Sequence, residues 1–157
     1  MKKQIVIIIM FWLIIFLVFC FSQIKNVQVD TFINWHVYLP NIKDEKIIYD
    51  TFFGDGDTIT ILTVDDFNSI EKIIRKNNFQ VINTKNIDNI NEKIQNFYEN
   101  LSDDGKSSFT NNLDLDNILN LSKENYYLFK SKNNNRSYLI LLLDVNEKVI
   151  YSFNSIN

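Results

Sequence analysis

Between Lys3 and Lys25 the chain carries no charge, and from Ile5 to Phe21 it has neither Pro nor Gly. A run of that kind has no polar face to offer water. It is a membrane span, the apolar region of a signal peptide, or a fully buried core helix. As a helix, Gln4 to Ile24 would be roughly 31 Å long at about 1.5 Å per residue, close to a hydrocarbon core of about 30 Å. Lys2 and Lys3 precede the run and every acidic residue follows it, which by the positive-inside rule sets the N-terminus inside and the rest outside. The apolar region of a cleaved signal is shorter, about 7–15 residues, so residues 1–24 are expected to be a signal anchor that inserts Ile5–Phe21 into the lipid bilayer. Cys20-Phe21-Ser22 offers smallish residues at the two positions a signal peptidase reads. Cleavage and secretion are therefore the alternative. Phe19 stands where lipidation of Cys20 needs a small residue, so Cys20 is read as a small buried hydrophobe.

About 130 residues remain, enough for one domain and one core. Beyond the run there are 19 acidic against 14 basic residues, a net charge of −5. An acidic surface without a basic patch repels phosphate backbones, so nucleic acid is not an expected partner. The only Cys lies in the apolar run, so no disulfide staples the domain and its stability has to come from apolar burial. The chain has no Ala, three Gly and one Pro, and is rich in Ile and Asn. Its 14% aromatic content argues against disorder.

Residues 25–44 read as a stalk or lead-in, with Val27–Val37 either a short strand or juxtamembrane chain. The domain is expected over 45–157. Lys46–Phe53 and Thr58–Val64 are β-rich runs joined by Gly54-Asp55-Gly56-Asp57, a composition suited to a hairpin turn. Ile59 and Ile61 alternate with Thr58 and Thr60, the pattern of a half-buried strand. Asp65 or Asp66 then caps a helix with Phe67, Ile70, Ile73 and Ile74 on one face and Lys72, Arg75 and Lys76 towards its end. Phe79–Ile82 reads as a short strand or connector. A second helix is expected from Ile87 to about Leu101 on its stripe of Ile90, Ile94 and Phe97, ending at Asp103-Asp104-Gly105. Leu113–Leu121 fits either a short helix or an extended piece. Tyr126–Lys132, Ser137–Asp144 and Lys148–Phe153 form a meander turning at Asn133-Asn134-Asn135. Tyr138–Leu143 is apolar on both faces and so is the central strand. The expected fold class is α+β: a two-layer, mainly antiparallel sheet of four to five strands with two helices packed on one face.

Chemistry is harder to find. His36 is the only histidine, so a His/Cys zinc site or a Ser-His-Asp triad would need it, and no carboxylate follows it until Asp44. The acidic pairs Asp55/Asp57, Asp65/Asp66, Asp103/Asp104 and Asp114/Asp116 have ready explanations as turn and cap chemistry. An EF-hand fails at both glycine turns: the frame on Gly105 puts Asn100 first and Asn111 twelfth, and the frame on Gly56 puts Thr51 and Phe53 in ligand positions. Asp55 and Asp57 stay as weak calcium candidates. Gly54-x-Gly56 leads into a strand instead of a helix, so it is no phosphate loop, and no cofactor is expected. The three sequons at Asn100, Asn120 and Asn135 are easily met by chance in an Asn-rich chain.

Asp50-Thr51-Phe52-Phe53-Gly54-Asp55-Gly56-Asp57-Thr58 resembles the glycine-aspartate-glycine turn of a small uncharacterised family from low-GC Gram-positive bacteria. Asn125-Tyr126-Tyr127-Leu128-Phe129 and Asp144–Tyr151 are similar to that family's closing strands. The family carries a His-Gly-Gly insertion before the turn and a second His within it. This chain has neither, so no role of those histidines transfers. The resemblance implies a shared turn and shared closing strands, and no nameable activity.

The leading expectation is thus a non-enzymatic, extracytoplasmic, membrane-anchored domain that binds a protein or peptide partner at the cell envelope. A calcium-binding or carboxylate-based hydrolytic module using Gly54–Asp57 is one alternative, and a purely structural domain is another.

Overall fold

The computed structural model describes residues 27–51, 56–114 and 125–156, together with Trp12 and Ile118. In chain order the elements are α1 (Val27–Trp35), β1 (Ile42–Asp50), β2 (Gly56–Val64), α2 (Phe67–Asn77), β3 (Gln80–Val81), α3 (Ile87–Asn100), α4 (Asp103–Asn112), β4 (Tyr126–Lys132), β5 (Ser137–Asp144) and β6 (Val149–Ile156). The strands make one sheet in the order β1-β2-β6-β5-β4-β3, and every neighbouring pair is antiparallel. The class is α+β, with six strands in place of the expected four or five.

The layering also differs from expectation. Along β5, Leu139, Leu141 and Leu143 enter one apolar cluster with Trp35, Val37, Leu39, Leu62, Ile70 and Ile73. Ile140 and Leu142 enter another with Ile90, Ile94, Phe97 and Phe109. Side chains alternate across a strand, so these clusters lie on opposite faces. The first is covered by α1, α2 and the segment between α1 and β1, the second by α3 and α4. The sheet is the middle of three layers, not the floor of two. An apolar run on both sides of β5 requires a cover on each side, and β5 does sit inside, between β6 and β4.

Local chemistry explains the helices. Asp66 accepts a hydrogen bond from Ser69 N at 2.7 Å and so caps α2, which holds its carboxyl below the ordinary range. Asn78, at φ 59°, closes the helix in the left-handed region, which Asn tolerates better than most residues. Ile70 and Ile73 are buried, whereas Phe67 is exposed with Lys148 Nζ 5.4 Å from its ring centroid. Asp103-Asp104-Gly105 does not end a helix but begins α4. The hydroxyl of Ser102 accepts from Gly105 N at 3.1 Å, and the two aspartates sit in the first turn, where the helix dipole favours anions. Gly105 sits at a close approach: a Cβ there would stand 3.1 Å from the Tyr49 ring, which would have to give by a few tenths of an ångström.

Residues 27–41 are no stalk. Val27–Val37, expected as a strand or loose chain, holds α1, and Trp35, Val37 and Leu39 are core residues. Polar bonds fasten this segment. Trp35 Nε1 donates to Asn154 Oδ1 at 2.9 Å. Asn77 accepts from Tyr38 N and donates to Tyr38 O, both at 2.7 Å, and Asn41 Nδ2 donates to Ser69 Oγ at 2.9 Å. Thr60, expected on a solvent face, is buried between Ile47 and Ser152 in the sheet.

Of the expected anchor Ile5–Phe21 only Trp12 is described, and it is exposed. Among the described residues no helix is long and apolar enough to cross a membrane. Most of Leu113–Leu121 also lies outside the described residues, although Leu113 and Ile118 are buried.

Candidate functional site

The hairpin expected around Gly54–Asp57 is present, since Asp50 pairs with Thr58 across β1 and β2. Its tip, 52–55, lies outside the described residues, and with it Gly54 and the calcium candidate Asp55. Gly56 has φ 143°, and a Cβ on it would meet Thr51 Oγ1 at 1.9 Å. Glycine is thus needed where the second strand leaves the turn.

Of the two calcium candidates, Asp57 is the one within the described residues. It opposes Ser155 on β6, and Ser155 opposes Tyr138 on β5, so three polar side chains form a row across the sheet. Asp57 is half-buried, and this desolvation pushes its carboxyl above the ordinary range against an opposing hydrogen bond from Ser155. Burial likewise raises the Tyr138 phenol, the Asp57 charge adds to the rise, and the bond to Ser155 counters it. The Tyr138 ring meets Phe97 edge-on at 6.3 Å and Phe129 at 6.3 Å, so the row borders the aromatic cluster under α3. A carboxyl raised by burial can hold a proton where a free aspartate has lost it, the property a general acid needs. Among the described residues, no group of three or more His, Cys, Asp or Glu side chains is placed to hold a metal ion.

The sign of the Asp57 effect can be tested. Its folded pKa lies above the unfolded value of 3.8, so the native state binds the proton more tightly and loses stability as pH rises through that window. Asp57→Asn should therefore melt above the parent at pH 7, with the gap closing below about pH 3.5 as the parent's Asp57 protonates in the folded and unfolded chain alike. Thermal melts at the two pH values check it, and a gap that widens towards acid would contradict the assignment.

Four other aspartates have structural work. Asp66 is a cap, Asp103 and Asp104 begin α4, and Asp144 accepts from Asn146 N and Glu147 N in the turn between β5 and β6. Asp114 is exposed, and Asp116 lies outside the described residues. His36 is exposed just past α1, at φ 52°, with its N–H bonded to Phe32 O. It ends a helix, and the structure brings no carboxylate of the Asp57 row to it.

Two surface clefts meet at Asn112–Asp114. One, of about 640 Å³, is lined by Tyr98 and residues 109–114. The other, of about 290 Å³, is lined by Ile61, Leu113, Ile118, Asp144 and Tyr151 among others. Burial and the neighbouring Asp144 and Glu147 push the Tyr151 phenol up. Neither cleft was legible in the sequence: the first lies between the end of α3 and the end of α4, and the second joins the end of α4 to strands distant in the chain. Comparison of the chain with family models, with curated proteins and with solved structures finds no match.

Proposed function

We propose that the protein is an extracytoplasmic domain held at the cell membrane by Ile5–Phe21, where it binds a protein or peptide partner without catalysing a reaction. The observation that carries this reading is the uncharged stretch Gln4–Ile24, whose length as a helix suits one bilayer crossing. Its flanking charges favour the folded part outside. The clefts beside α4 supply concave surface of the kind partners use. The resemblance of the hairpin and closing strands suggests a Gram-positive envelope as the setting.

Fractionation of cells making the full chain tests the anchor. The protein should stay in the membrane pellet through carbonate extraction, and protease added outside intact cells should remove the domain. Recovery of a shortened chain only from the medium would mean that residues 1–24 are cleaved as a signal peptide.

A second reading, a carboxylate-based module, is favoured by the raised Asp57 and its row with Ser155 and Tyr138. Calcium titration by calorimetry addresses its cation-binding form: saturable binding lost in Asp57→Asn would favour this reading over the first.

A further inference from the structure

Helix α1 has two unlike sides. Thr31 and Trp35 are turned to the sheet and are each 3% exposed, whereas Phe32 and Ile33 are 54% and 64% exposed and Tyr38, just beyond, is 51% exposed. Large apolar side chains so grouped on one helix and its exit form a patch, in contrast to scattered single exposures. Beside it stand two cations from β4. Lys130 Nζ donates to Trp35 O at 2.7 Å and to His36 O at 3.3 Å, and Lys132 Nζ donates to Asn34 O while lying 4.5 Å from the Trp35 ring centroid. Burial, and to a lesser degree the charge of Lys132, lowers the Lys130 pKa. An ammonium has three donors, so each lysine can also meet an anionic oxygen from outside.

The position of α1 in the chain names the surface that covers this patch. The uncharged stretch ends at Ile24 and α1 begins at Val27. Three steps of extended chain reach at most about 11 Å. Phe32 and Ile33 follow within about 9 Å of helix. If Ile24 lies at the edge of the hydrocarbon, the start of α1 cannot leave the neighbourhood of the headgroup layer, which is about 5–8 Å thick on each side. We propose that α1 lies on the outer leaflet, with Phe32 and Ile33 among the headgroups and Lys130 and Lys132 towards lipid phosphates. The domain is then docked on the bilayer and does not swing from a tether. This placement rests on the anchor reading above. An apolar side with cations at its border is what an interfacial helix needs.

The test uses the full chain with Cys20→Ser, carrying one nitroxide at Ile33→Cys or at Asn96→Cys. Asn96 is exposed on α3, across the sheet from α1. Each protein is reconstituted into vesicles of phosphatidylcholine and phosphatidylglycerol, and only floated vesicles are measured. Docking predicts that the label at 33 collides several-fold less with a water-soluble nickel chelate than the label at 96, at every protein-to-lipid ratio. Flotation with position 33 as open to the chelate as position 96 would overturn docking and leave the anchor intact. Shielding that appears only at high protein density would assign the patch to a second copy and also overturn it. Failure to float would remove the anchor reading, and the docking with it.

Discussion

Leu141→Asp and Leu142→Asp should each yield a chain with no folded domain, although the two side chains point to opposite faces of the sheet. Both leucines are fully buried. Leu141 packs in the cluster under α1 and α2, and Leu142 in the one under α3 and α4. Losing a buried leucine costs about 2–5 kcal/mol. A carboxylate without a partner in the same place costs several more, or must be held protonated at comparable expense. The total approaches the whole stability of a typical domain, about 5–15 kcal/mol. Circular dichroism and urea titration of the purified chains give the answer. A soluble variant with a cooperative transition would show that one face tolerates water, and would undo the three-layer description.

The second large effect comes from the N-terminal side. A chain begun at Asn41 keeps all six strands, yet it should not fold, whereas one begun at Asn26 should. The shorter chain loses the buried Trp35, Val37 and Leu39, worth on the order of 5–9 kcal/mol in burial alone. It also strips the Asn154 carbonyl of its Trp35 donor and Asn77 of its two bonds to Tyr38, leaving polar groups that were satisfied inside. Near-ultraviolet dichroism and melting of the two chains decide the matter. Equal melting temperatures would mean that residues 27–40 merely lie on a domain complete without them.

The parts of this fold visible in the sequence are those in which one side of an element is apolar and the other is not. Helices α2 and α3, the β1-β2 hairpin and the β4-β5-β6 meander all have that quality, and Ile70, Ile73, Ile90, Ile94 and Phe97 are buried as their spacing requires. Helix α1 was hidden because its polarity is inverted: Thr31 faces the sheet while Phe32 and Ile33 face out. Helix α4 was hidden because Phe109 is its one large buried side chain, too little for a stripe. Its Gly105 has the composition of a stop, yet it lies in the first turn of the helix beside the Tyr49 ring. The second covered face had a signal in the two-sided apolar run of β5, which marks a central strand and equally demands two covers. The row Asp57-Ser155-Tyr138 had none, because only strand register across the sheet brings those residues together.

Strand β6 is the last of the six in the chain, yet it lies between β2 and β5 and hydrogen-bonds to both. Until it is made, the hairpin β1-β2 has no partner in the rest of the sheet, and β5 has one bare edge. The two halves of the sheet therefore cannot join until the strand between them, made after the other five, has been synthesised. Such late, long-range pairing is slow compared with local pairing. Under the membrane-anchored reading proposed above, this delay would be an advantage: a chain crossing the bilayer would still be threadable, and the sheet would zip shut only once Val149–Ile156 had followed.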